Sequence, residues 1–195
     1  TLTMVATDGR RLAMVEQEVE FPQSHETEFI VPTKAVNELS RLLGDKGDVV
    51  IKVTGSQVGF DLDGSFLVSK LIEGNYPNYR QVIPGEAKER IALERETLLR
   101  SVSRVSLLAS EKSNSVKMQF SAGQVEIVAS SPEIGEARET LAINYKGPDI
   151  TIAFNPEFLM APLRNLVADE VHLHLIDEIS PGVLRSGTSF LYVLM

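Results

Sequence analysis

The sequence predicts an α+β fold made of repeated units in which helices pack on antiparallel sheets, and three observations carry that expectation. Short alternations of apolar and polar residues recur between Gly- and Asp-containing turns, the period-two pattern of half-buried strands. Three longer segments instead space their apolar residues by three and four, which marks helices with one buried stripe. Blocks of this pattern then recur in the same order further down the chain, at an offset of about 123 residues.

The elements follow in order. Leu2 to Val15 alternates and is interrupted by Asp8-Gly9, a hairpin signal. Phe29 to Val31 reads as a short strand. Pro32 opens a helix, where a missing N–H costs little; Ala35, Val36, Leu39, Leu42 and Leu43 form its stripe, and Gly44 and Gly47 end it. Strands Val49–Val53, Val58–Leu62 and Phe66–Ile72 follow, with turns at Gly55 and Asp63-Gly64. From Gly74 to Gly85 the chain is punctuated by Pro and Gly, as suits an extended connector. A helix over Glu94–Ser110 places Leu98, Leu99, Val102, Val105 and Ala109 on one face. Strands Val116–Phe120 and Val125–Ala129 flank a turn at Gly123, and another lies near Ala137–Ile143. Helix Pro156–Val167 and strands Val171–Ile176, Gly182–Ser186 and Ser189–Leu194 complete the chain.

The repeat is read from several blocks. Val5-Ala6-Thr7 recurs as Val128-Ala129-Ser130; Val31, Ala35, Arg41 and Leu43 recur as Phe154, Phe158, Arg164 and Leu166. Val49, Ile51 and Val53 recur as Val171, Leu173 and Leu175, and Ser65-Phe66-Leu67 recurs unchanged as Ser189-Phe190-Leu191. Small drifts in the offset fall in turns, where insertions are tolerated. The second unit opens near residue 89, so at this offset the first is expected to lack its opening helix and strand, about 34 residues. A first domain over 1–84 and a second over 85–195 is the expected division. Both ends look cut: Thr1 follows no initiator Met, and Phe190 to Met195 reads either as a strand stopped before its end or as a C-terminal strand fully paired inside a sheet.

Composition narrows the function classes. At 43% hydrophobic and 24% charged residues, the 195-residue chain has the balance of a globular protein with a core. No window approaches the roughly 18–20 consecutive apolar residues of a membrane span. The absence of Cys excludes disulfides, thiol catalysis and Cys-ligated zinc, and is compatible with a reducing cytoplasm. With 19 Lys and Arg against 27 Asp and Glu, the net charge of −8 argues against coating nucleic acid over the whole surface, while leaving room for a local basic face.

Three runs, Val5-Ala-Thr-Asp-Gly-Arg-Arg-Leu12, Ser69-Lys-Leu-Ile-Glu-Gly-Asn-Tyr-Pro-Asn-Tyr79 and Ile152-Ala-Phe-Asn155, closely resemble the bacterial sliding clamp, the β subunit of the replicative DNA polymerase. The hairpin run and the Gly-x-Tyr-Pro-x-Tyr connector together are specific, and order and spacing fit over nearly the whole chain. The resemblance implies the DNA-clamp fold: three similar domains per chain, each with two helices on antiparallel sheets, and two chains closing head-to-tail into a ring around duplex DNA. Residues 1–84 then match most of the middle domain and its connector, and 85–195 the C-terminal domain. It further implies a non-enzymatic, cofactor-free processivity factor, cytoplasmic and nucleoid-associated, that serves the replicative polymerase, the clamp loader, and repair and translesion polymerases.

Site residues follow from the same resemblance. A peptide groove is expected from Thr7, Gly9, Arg10, Arg11 and Leu12 on the hairpin, Pro77, Gln81 and Val82 on the connector, and Asn155, Phe158, Pro181, Val193, Leu194 and Met195. Partners would insert a short Gln- and Leu-rich peptide, held by an apolar pocket with a few orienting polar groups. Gln81 stands where the family can carry a basic residue. Lys34, Arg41, Arg100, Arg104 and Arg164, all on helices, are the expected DNA-facing cations, acting by sequence-independent attraction. By composition alone they read as ordinary solvated charges, and it is the resemblance that reverses this. The ring seam is expected at Leu107 and Leu108 with Glu133, Glu136 and Glu139, one of the two leucines also serving the core.

Two other function classes compete with this reading. The first is a protein-interaction module of the same fold, without DNA encirclement. A metal-dependent hydrolase would draw on His172 and His174, which alternate on a strand near Asp177. Val171, Leu173 and Leu175 take the opposite face, so both His are expected toward solvent. Asp61-Leu-Asp63-Gly64 lacks the other ligands of a calcium loop. No nucleophile elbow or phosphate-binding Gly loop occurs, and no catalytic constellation emerges.

Overall fold

Asp8-Gly9 folds the first segment into a hairpin, β1 (Leu2–Thr7) against β2 (Arg11–Gln17), with Thr7 opposite Leu12. Gly9 takes φ +82°, which a side chain resists. The Asp8 carboxylate accepts the backbone N–H groups of Arg10 and Arg11 at 3.0 and 3.1 Å and pins the turn. The structure, a computed structural model, describes residues 1–20, 27–109 and 114–195. Two compact units emerge, residues 21–78 and residues 1–20 together with 79–195.

The unit of residues 21–78 holds helix α1 (Thr33–Leu42) and an antiparallel meander of β3 (Val50–Val53), β4 (Gln57–Asp61) and β5 (Phe66–Lys70). Pro32 is the residue before the helix rather than its first turn. Instead of a strand at Phe29–Val31 there is one bridge, Ile30 to Ile72. Among the described residues of this unit only Ala35, Val58 and Phe60 are buried apolar side chains. Val36, Leu42 and Leu43, expected in a buried stripe, remain nearly half exposed. A three-stranded sheet and a single ten-residue helix offer each other too little face to bury the whole stripe.

In the larger unit, Tyr79–Val82 forms a 3-10 turn within the stretch expected to be extended. The elements that follow are β6 (Glu89–Glu94), α2 (Arg95–Ser106), β7 (Val116–Ser121), β8 (Gln124–Ser131), β9 (Gly135–Ala142) and β10 (Ile150–Phe154). Then come α3 (Pro156–Asn165), β11 (Glu170–Leu175), β12 (Gly182–Ser186) and β13 (Phe190–Leu194). The expected end of the second helix, Ser110, lies outside the described residues. An antiparallel six-stranded sheet runs β1-β2-β13-β12-β11-β6, and a four-stranded sheet runs β10-β7-β8-β9. The hairpin thus extends the sheet built by the end of the chain, with Leu12 opposite Val193.

One core joins both sheets to the two helices. Leu98, Val102 and Val105 from α2 and Leu159, Met160 and Leu163 from α3 are buried among strand residues such as Ile91, Met118, Ile127 and Leu173. On the other face of the six-stranded sheet, Leu12, Val183, Leu191 and Val193 are buried, with Tyr79 and Ile83 of the connector packed against them. Each helix has an acceptor at its start: Glu94 takes the N–H groups of Glu96 and Thr97, and Asn155 those of Glu157 and Phe158. Pro156 opens α3, where it is well tolerated, but Pro162 sits inside it. An internal proline leaves the carbonyl four residues earlier, that of Phe158, without its helical donor. The Tyr192 hydroxyl on β13 supplies one, donating to the Phe158 carbonyl at 3.0 Å.

Candidate functional site

The β1–β2 turn, β13 and the start of α3 converge. Thr7 donates its hydroxyl to the Arg11 carbonyl at 2.7 Å and accepts the Gly9 N–H, so the turn is locked from within. Arg11 pairs with Asp8 at 3.0 Å and lays its guanidinium over the Phe158 ring, 4.5 Å from the centroid. Hydrogen bonding to Tyr192, opposed by burial and aided by Asp8, raises Arg11 above the ordinary guanidinium value. Met195 donates its N–H to the Arg10 carbonyl at 3.1 Å, which ties the end of β13 to the turn. Gln81, Val82, Pro181 and Met195 also line an open depression of about 450 Å³, together with Pro84, Ile176 and Ser180. Pro77 belongs to the unit of residues 21–78.

These expected groove residues play different physical parts. Leu12, Val193 and Leu194 are at most 2% exposed and belong to the packed interior. Val82 and Met195, at 39% and 46%, are open to a ligand, as are Arg10 and Gln81. Asn155 spends its side-chain oxygen on the α3 cap, and so orients Phe158 instead of waiting for a partner. Tyr192 was missed by sequence reasoning. Its signal was the proline inside α3, which requires a replacement donor, but nothing local in the sequence says which residue supplies it.

The expected DNA-facing cations are exposed, and four of the five are already paired. Arg41 meets Glu38 at 2.9 Å, Arg100 meets Glu96 at 2.9 Å, and Arg164 meets Glu157 at 3.1 Å. Arg104 forms a two-pronged bond to Glu139, with Nη2 to Oε2 at 2.7 Å, across to β9. Lys34 has no carboxylate in salt-bridge range among the described residues. Such exposed pairs contribute little stability but do dilute a positive surface.

At the expected seam, Leu107 is 78% exposed and Leu108 is partly buried, so neither enters the buried core, contrary to the expectation for one of them. The helix ends at Ser106, so both residues lie past its last turn. Glu136 pairs with Arg138 and Glu139 with Arg104, while Glu133 is exposed beside Ile134, itself 70% exposed. Ile134 is an apolar contributor to this edge that sequence reasoning passed over.

His172 and His174 lie partly exposed on β11, while Val171, Leu173 and Leu175 are fully buried on the opposite face. Among the described residues no group of three or more His, Asp and Glu is arranged to hold a metal. No helix among them is long and apolar enough to cross a membrane.

Several carboxylates are held below their ordinary values. The Arg104 hydrogen bond lowers Glu139 against opposing burial, the Thr97 side chain and N–H lower Glu94, and Ser180 and Ile179 lower Asp177. A depressed carboxylate stabilises the fold above its unfolded value, and that stability is lost as pH falls through the folded value. The acid side of the stability curve should therefore steepen below the ordinary Glu value of 4.5. Arg104→Gln should make that loss shallower, measured as melting temperature from about pH 6 down to about pH 3.

The chain matches the family model "DNA polymerase III beta subunit, central domain" over residues 1–78 and "DNA polymerase III beta subunit, C-terminal domain" over residues 80–194. It is 34% identical to the beta sliding clamp of Chlamydia pneumoniae over 193 residues, covering 99% of this chain and 53% of that protein. The sliding clamp of Pseudomonas aeruginosa superposes with a TM-score of 0.93 at 31% identity, covering 98% of this chain and 54% of that one. The Bartonella birtlesii sliding clamp bound to griselimycin superposes with a TM-score of 0.91 at 34% identity, covering 99% and 53%. The chain spans about half the length of the relatives it matches. With both family domains matched in order and the clamp fold reproduced, the chain belongs to the bacterial DNA polymerase III beta subunit family, the beta sliding clamps.

Proposed function

We propose that this chain forms the middle-domain portion (1–84, with its connector) and the C-terminal domain (85–195) of a DNA polymerase processivity factor. In its full-length form the protein is a homodimeric ring that encircles duplex DNA without reading sequence and without catalysing a reaction. It works in the cytoplasm on the nucleoid and holds the replicative polymerase, clamp loader, and repair and translesion polymerases by short Gln- and Leu-rich peptides. The observation that carries the reading is the site where hairpin, connector and chain end meet. An open depression with exposed Val82 and Met195 lies beside a turn whose Arg11 is fixed between Asp8 and Phe158. Apolar anchors with a few oriented polar groups suit a short peptide.

A fluorescent Gln-Leu-x-Leu-Phe peptide tests this directly. Saturable binding to the chain, absent for a scrambled peptide and competed by griselimycin, is the expected result. Equal binding of the scrambled peptide would overturn the groove. The encirclement half is separate: the complete protein should stay on circular duplex DNA and leave once the circle is cut. Peptide binding without such retention would favour an interaction module of the same fold.

A further inference from the structure

The outward face of the six-stranded sheet changes character at β12. One row is apolar from β2 to β12, Leu12, Val193 and Val183, with Tyr79 and Ile83 packed against it. Past Val183 the same row continues through His174 on β11 to Arg90 on β6, and the next row pairs Arg185 with His172. Both arginines and both histidines reach solvent at least partly. The carboxylates nearby stand at the rim: Glu86, 90% exposed, approaches Arg90 at 3.7 Å, and Glu170 approaches His172 at 3.3 Å. Among the described residues no carboxylate lies within salt-bridge range of Arg185. Burial, and then Arg185, Arg90 and His172, lower His174 below its ordinary value, as a locally positive field requires.

This strip adjoins the groove. A narrow hollow lined by His174, Arg185 and Val183 shares Pro84, Ile176 and Pro181 with the depression that holds Val82 and Met195. A peptide leaving that depression across Pro181 therefore passes over His174 and Arg185. On a chain of net charge −8, carboxylates are repelled over most of the surface, and this strip is a local exception.

We propose that Arg90, His174 and Arg185 receive an acidic segment flanking the groove-bound peptide, so that partners with Asp or Glu beside their apolar anchors are preferred. The proposal rests on the groove reading above and adds to it a class of partner. Exposed ion pairs are individually weak, and two of them correspond to a preference of roughly three- to tenfold.

The test uses four fluorescent peptides with one Gln-Leu-x-Leu-Phe core, carrying Glu-Glu or Gln-Gln on its N-terminal or C-terminal side. At low salt, one Glu-flanked peptide should bind this chain roughly three- to tenfold tighter than its Gln counterpart. Arg185→Glu and, on the exposed edge strand, Arg90→Glu should each reduce or erase that gain and leave the Gln-flanked affinities unchanged. Arg90→Glu keeps the test decisive if Arg185→Glu fails to fold. Equal affinities for Glu and Gln flanks, with the core bound, would overturn the proposal and leave the groove standing. No core binding at all would remove the groove and this proposal with it. An oligoglutamate lacking the core that binds as tightly as the joined peptide would also overturn it, because the strip would then be an independent site.

Discussion

Replacing Val82 and Met195 together with Ala should weaken the Gln-Leu-x-Leu-Phe peptide by about tenfold or more and leave the melting temperature near that of the parent. Both side chains face the open depression, so truncation removes ligand contact area without opening a cavity in the core. Apolar anchors of this kind carry most of a peptide interface, at roughly 1–2 kcal/mol each. Leu194→Ala should behave in the opposite way. At 2% exposure Leu194 is part of the core, and its truncation should cost about 2–5 kcal/mol of stability while the folded fraction keeps most of its peptide affinity. Tyr192→Phe is the intermediate case. It removes the donor that Pro162 makes necessary, leaves the Phe158 carbonyl unsatisfied at a cost of about 1–3 kcal/mol, and loosens the ring under Arg11. Calorimetry and peptide titration on the three variants separate contact from support. If the Val82 and Met195 variant bound peptide like the parent, the depression would not be the site.

The sequence made most of this fold legible wherever one residue type dictates local geometry. Asp8-Gly9 announced the hairpin, Pro156 the start of α3, and the alternation of Val171, Leu173 and Leu175 a strand buried on one face, which also set His172 and His174 toward solvent. It was less informative where partners decide. β6 went unnamed because Glu89-Arg-Ile-Ala-Leu-Glu94 is as readily the start of a helix as a strand, and only pairing with β11 settles it. The stripe of α1 was real as a pattern, yet burial depends on what faces it, and the 21–78 unit has little to offer Val36 and Leu42. For the proposed groove, resemblance supplied the residues but not their parts. Leu12, Val193 and Leu194 are support, Asn155 is a cap, and Tyr192, which no motif flagged, repairs the backbone at Pro162. Charges were legible only as positions. That Arg104 would reach Glu139, an expected DNA contact binding an expected seam residue, depends on β9 lying beside α2.

That pairing sets the terms for the second large effect. In the complete protein, Arg100→Glu with Arg104→Glu should lower affinity for duplex DNA by about one to two orders of magnitude at low salt, and should reduce the salt slope by about two. Arg100 and Arg104 are four residues apart on the exposed face of α2, each already balanced by a carboxylate, Glu96 and Glu139. A phosphate approaching them must draw the guanidinium away from its partner, so each contributes less than a free cation would. Reversal has a larger consequence than simple loss. It leaves two new carboxylates beside Glu96 and Glu139, and repulsion then replaces a partly cancelled attraction. Arg104→Gln isolates the difference, because it frees Glu139 without adding charge and should give a smaller loss of affinity than Arg104→Glu. Anisotropy of a labelled duplex across a salt series measures slope and affinity together, and peptide titration of the same variants should show no change. An unaltered slope in the double reversal would mean that this face of α2 does not meet DNA. Loss of peptide binding alongside it would instead point to damage spreading from α2 through its packing against α3, the helix that carries Phe158.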